Sequence, residues 1–172
     1  MILMLKTDET AESHEGGGYG KESLTRTAEV PLMIDRETKK VSGEGISSKI
    51  PPINTMKAQG YGGRSWGHSA PPVVHEKVTV TGTLTDNDTL LKLTVQITSI
   101  EGTAPAGVTV VVEGKTFKFN GPANMKTDEK IEVEILYQAD AGKVVPVHET
   151  YPGVVLNGTH TFKLVPPGAP AQ

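Results

Sequence analysis

Apolar residues recur at every second position through most of the chain after Val73. In EKVTVTGTLTDNDTLLKLTVQITSI, Val78, Val80 and Leu84 alternate with Lys77, Thr79, Thr81 and Thr83. Beyond Asp86-Asn87-Asp88 the pattern resumes, and Leu91, Leu93, Val95 and Ile97 alternate with Lys92, Thr94, Gln96 and Thr98. Period-two alternation rich in Val, Ile and Thr predicts half-buried antiparallel strands around a turn. VTVVVEGKTFKFNG predicts a strand, a tight turn at Glu113-Gly114 and a second strand with Phe117 and Phe119 on one face. IEVEILYQAD sets Ile131, Val133, Ile135 and Tyr137 against Glu132 and Glu134. KVVPVHE predicts a short edge strand, because Pro146 has no amide to donate to a ladder. GVVLNGTHTFKLV predicts a turn at Asn157-Gly158 and a closing strand in which His160, Phe162 and Leu164 alternate with Thr161 and Lys163.

Residues 1–72 show no such sustained period. MILML is apolar, and TDETAES after it is a candidate cap for a short helix that the glycines of HEGGGYGKES would end. AEVPLMIDRETKKVSGEGI offers one or two short strands around the polar turn DRETKK, with Pro31 restricting the first of them to an edge. KIPPINTMKAQGYGGRSWGHSAPP mixes proline and glycine pairs that resist both helix and sheet. The resulting expectation is an all-β protein in three parts. Residues 1–72 form an extended, loop-rich N-terminal arm; residues 73–166 form an antiparallel β-sandwich; residues 167–172 are a Pro-rich tail. Turn signals roughly every 8–12 residues suit a sandwich of immunoglobulin type. LNGTHTFKLV resembles the closing strand of immunoglobulin-like modules, which implies that fold for the C-terminal part, although the chain lacks a disulfide pair and has no tryptophan in the sandwich strands.

Composition narrows the function. A net charge of −3 with no run of like charges gives no basic patch to neutralise phosphate, so no nucleic acid is expected as partner. The absence of cysteine excludes disulfides, thiol catalysis and thiolate metal sites. No signal peptide is visible in MILMLKTD, and no stretch is apolar for the roughly 20 residues of a membrane span.

Candidate chemistry is sparse. HEGGGYGKES places a lysine after glycines, but Glu22 stands where a phosphate-binding loop needs Ser or Thr. Ser65, His68 and Ser69 lie together without rigid support, and no Gly-x-Ser-x-Gly elbow exists. Glu132 and Glu134 share a strand face, more simply a solvated face than an acid–base pair. The five histidines, His14, His68, His75, His148 and His160, have no metal-ligand spacing and read as surface or turn residues, with a cross-strand His75/His148 pair as the one metal arrangement considered. Asp86 and Asp88 could ligate calcium but read first as turn formers. Asn87-Asp88-Thr89 and Asn157-Gly158-Thr159 fit the glycosylation triplet at expected turns.

The stretch YGGRSWGHSAPP carries Tyr61, Arg64, Trp66 and His68, and the first three are residue types enriched at interface hot spots. These four are the expected partner-binding residues. The reading that follows is non-enzymatic, with no cofactor: a structural protein of a large assembly, most concretely a phage or virus capsid decoration protein. Its arm would bind neighbouring subunits, at a virion or extracellular surface. Deletion of residues 1–72 would then leave a folded sandwich. The alternative is a carbohydrate- or surface-binding sandwich of an envelope or extracellular protein, with Tyr61, Trp66 and Tyr137 stacking on sugar.

Overall fold

The computed structural model describes residues 1–15, 18–50, 56–57, 65–68, 74–85, 87–100, 108–112, 115–119, 128–151 and 154–168. They form strands β1 (Ile2–Glu15), β2 (Gly18–Ile34), β3 (Lys40–Ile50), β4 (Met56–Lys57), β5 (Ser65–His68), β6 (Val74–Thr85), β7 (Leu90–Ser99), β8 (Val108–Val112), β9 (Lys115–Phe119), β10 (Asp128–Leu136), β11 (Gly142–Tyr151) and β12 (Val154–Val165). No helix occurs among the described residues, so none is long and apolar enough to cross a membrane.

Eight of these strands make one nearly closed antiparallel barrel. Its neighbours run β11-β12-β1-β2-β3-β6-β7-β10. This is chain order, an up-and-down meander whose last strand returns to the first through the ladder from Ile2↔Val165 to Ser13↔Val154. Among the described residues β10 pairs only with β7 and β11 only with β12, so the sheet has a seam between β10 and β11. The turn through residues 137–141 spans this seam at its lower end. There, Asp140 N donates to Leu164 O and Leu164 N to Ala141 O. The short strands β4, β5, β8 and β9 branch from β2 through the pair Tyr19↔Lys57.

The expected two-sheet sandwich with a free arm gives way to this single sheet. Period-two alternation is common to both architectures, because each needs only one buried face per strand. The first three strands are staves of the barrel: β1 contributes Leu3 and Leu5, β2 contributes Ala28, Val30 and Leu32, and β3 contributes Val41, all buried. TDETAES continues β1 instead of forming a helix. β2 lies between β1 and β3, so Pro31 does not make it an edge; its ladder to β3 is interrupted between Ala28↔Ser47 and Leu32↔Gly43, around the proline that has no amide. Asn157-Gly158 lies inside β12, paired with His148 and Val147, and forms no turn.

The interior alternates as the later strands require. Val78, Val80, Leu84, Leu91, Leu93, Val95, Ile97, Ile131, Val133, Ile135, Phe162 and Leu164 all point inward and are buried. Glycines sit at inward positions where a strand approaches its neighbour too closely for a side chain. A Cβ on Gly82 would stand 2.1 Å from Lys92 O, and one on Gly45 would stand 2.5 Å from Glu29 O. Such positions let an eight-stranded sheet curl tightly enough to fill its lumen with side chains.

The two ends of the barrel differ. The lower end carries the short connections that follow Ile34, Thr85 and Leu136. In the first, Asp35 Oδ1 accepts from the amides of Glu37 at 2.9 Å and Thr38 at 3.1 Å, which fixes the DRETKK turn. Asn87 and Asp88 take left-handed backbone angles (φ 54° and 67°), which these residue types tolerate. Met1, Ile34 and Tyr137 pack under the core, and Arg36 lies 5.6 Å from the Tyr137 ring centroid. The upper end carries the long connections 51–73 and 100–127 and the far ends of the β1–β2 and β11–β12 hairpins.

Candidate functional site

Above the apolar column, the inward phase of six strands continues into polar residues. β1 runs Leu3, Leu5, Thr7, Glu9; β2 runs upward through Leu32, Val30, Ala28, Arg26; β12 through Leu164, Phe162, His160. Ser47 continues β3, Glu76 continues β6 below Val78 in number, and Glu129 continues β10 before Ile131. The register sets three of them side by side, because Thr7 pairs with His160 on one flank and with Arg26 on the other. Thr7, Arg26, Ser47, Glu76 and His160 are all at most 2% exposed.

Their polar atoms satisfy one another. Arg26 Nε donates to Glu76 Oε2 at 2.6 Å and Nη2 to Oε1 at 3.3 Å, a two-pronged guanidinium–carboxylate contact. Ser47 Oγ donates to Glu76 Oε2 at 2.9 Å. Arg26 Nη1 donates to Glu129 Oε2 at 3.0 Å and, more weakly, to Thr7 Oγ1 at 3.5 Å. His160 Nε2 lies 2.8 Å from Glu129 Oε1, and its Nδ1 lies 2.9 Å from Thr7 Oγ1. Glu129 therefore reaches across the lumen from β10 to β12 and β2, bridging the unladdered seam from inside.

Electrostatics follow from this packing. Burial alone would lower the Arg26 pKa. The hydrogen bond and charge of Glu76, with the charges of Glu129 and Glu9, outweigh it and raise the guanidinium above its ordinary value. Burial alone would raise Glu129. The hydrogen bond from His160 and the charge of Arg26 outweigh it and hold this carboxyl below the usual range. Three carboxylates, Glu76, Glu129 and Glu9, act on the one guanidinium of Arg26. One ligand atom each from Glu9, Glu129 and His160 lie within 4.8 Å of one another, the one grouping among the described residues with metal-ligand chemistry.

This cluster is not the site expected from the sequence. Tyr61, Arg64 and Asp86 lie outside the described residues; Trp66 and His68 belong to β5, which is placed through its backbone, Trp66 opposite Met56 and His68 opposite Val110. Asp88 is held by Lys39 Nζ at 2.9 Å and by Arg36 at 3.7 Å, so cations of the protein already occupy its carboxylate. Glu132 bonds Thr94 and Lys130, while Glu134 pairs with Lys92, as a solvated strand face does. His75 on β6 and His148 on β11 are not strand neighbours, and His148 bonds Asn157 instead. His160, expected at a surface or turn, is buried at the centre of the cluster. The missed signal was positional: in β1, β2, β6, β10 and β12 a polar residue occupies the next step of an apolar phase.

The chain matches no family model, no curated protein and no solved structure.

Proposed function

We propose that the chain is a non-enzymatic structural subunit of a large protein assembly, most concretely a capsid decoration protein that binds neighbouring subunits through the upper end of its barrel. The observation that carries this reading is the asymmetry of the barrel. The lower end is finished with minimal turns, whereas both long connections rise from the upper end. Scaffolded loops are where recognition concentrates, because a rigid sheet bears the ordering cost of the segments it presents. In the sequence, Tyr61, Arg64, Trp66 and His68 fall between β3 and β6, and these four are the residues assigned to the contact. The charged groups in the upper lumen bond one another, an arrangement that suits structural closure better than turnover. In the sugar-stacking alternative, Tyr137, with Arg36 over its ring, would be one of the platforms.

Size-exclusion chromatography of the purified chain, alone and mixed with candidate protein shells, tests the reading. The expected result is a monomer that co-elutes with a shell. Trp66→Ala should weaken attachment by roughly 2 kcal/mol or more if the residue is a hot spot. Attachment that ignores Trp66→Ala and Tyr61→Ala alike would contradict the assignment of this segment. A glycan-array signal without shell binding would replace the reading with the carbohydrate one.

A further inference from the structure

We propose that Glu9, Glu129 and His160 bind one divalent transition-metal ion, zinc being the best match, in the upper lumen of the barrel. The three donors come from β1, β10 and β12, strands that are far apart in sequence and rigidly placed by their ladders. Their ligand atoms already converge within 4.8 Å. Zinc bonds of about 2.0–2.2 Å to imidazole nitrogen and carboxylate oxygen span separations of this order between ligand atoms.

The surrounding contacts are those that ligands of this kind need. Thr7 Oγ1, 2.9 Å from His160 Nδ1, occupies that nitrogen and leaves Nε2 as the metal-facing one. Arg26 Nη1 holds Glu129 Oε2 at 3.0 Å, so the contact an ion would replace is the one between Oε1 and His160 Nε2, now 2.8 Å, with both atoms becoming ligands. Charge points the same way: an imidazole ligates in its neutral form and a carboxylate in its ionised form, and Glu129 is held ionised, its carboxyl below the usual range. A mixed imidazole–carboxylate set with three protein donors suits zinc and its transition-metal neighbours, whereas calcium and magnesium favour oxygen alone. Glu9 and Glu129 are only half-buried, Glu129 with 28% of its side chain exposed, which gives an entry path and a fourth position for water. The site stands whether or not the barrel belongs to an assembly.

The test is calorimetric titration of the full chain, stripped with EDTA, with zinc chloride. Visible absorption of the cobalt(II) complex serves as a second readout. One equivalent of zinc should bind. Glu9→Gln should weaken binding at least about tenfold, and Thr7→Val, which leaves all three ligands in place, by about 10- to 100-fold. His160→Gln should abolish the cobalt absorption; if that variant does not fold by circular dichroism, Glu9→Gln and Thr7→Val decide. Absence of saturable binding overturns the proposal. So does binding that both of these variants leave unchanged, or that His148→Asn removes.

Discussion

Arg26 is the residue on which most of the buried charge depends. It is 1% exposed and neutralises Glu76, which is wholly buried. A buried ion pair contributes little net stability when intact, because desolvation offsets attraction; removing one partner is costly, because the other charge remains. Arg26→Met should therefore destabilise the protein by about 3–5 kcal/mol, measured by urea denaturation. The double variant Arg26→Met/Glu76→Leu should recover part of that loss, and a double variant less stable than the single would contradict the pairing. Acid should act through Glu129. Its pKa is lower in the folded protein than in the unfolded chain, so the folded state holds the proton less tightly. The stabilisation is complete above the ordinary glutamate value, about 4.3, and is lost as pH falls through the folded value. In chelator-containing buffer, stability should decline below about pH 4.3, and Glu129→Gln should remove part of that decline. A variant with the full acid loss would show that other carboxylates carry it.

At the level of elements, the sequence was most informative where both phases of a strand are unambiguous. β6, β7, β10 and β12 alternate apolar with charged or hydroxylated residues, and the residues expected to share a face are those buried together. It was least informative where inward positions are filled by Gly, Thr, Arg or Ser. In β3 the inward series is Val41, Gly43, Gly45, Ser47, which has the period of a strand but little of its hydrophobicity. In β2 the same series includes Arg26. A scale that scores side chains sees loop there, while the barrel needs small residues for curvature and charged ones for its upper lumen. The glycines make the point testable. Gly82→Ala places a Cβ against the Lys92 carbonyl and the Leu93 backbone, neither of which can move without breaking the β6–β7 ladder. We expect a loss of about 1–3 kcal/mol, the cost of overpacking, read as a lower thermal midpoint. An unchanged midpoint would mean that the strands are less tightly coiled than described.

For the whole molecule, the order of strands around the barrel matters more than any single contact. A meander that returns to its first strand ties both halves of the chain into one core, and this is what the sequence could not reveal: pairing between Leu3 and Leu164, or between Gly43 and Val80, leaves no local pattern. The consequence reverses an expectation drawn from composition. Deleting residues 1–72 removes three adjacent staves and the buried Leu3, Leu5, Ala28, Val30, Leu32 and Val41, so the remainder should fail to fold, with no cooperative transition by circular dichroism. A cooperative transition in the truncated chain would restore the boundary near residue 73.

The nearly closed barrel underlies both the functional reading and the metal site, and native-state hydrogen exchange on the full chain, alone and dilute, probes it most directly. Amides of Leu3–Thr7 and Ala28–Leu32 should exchange in the same slow class as those of Val78–Val80 and Leu91–Val95, all opening only with global unfolding. Fast exchange in the first two segments beside slow exchange in the last two would contradict it.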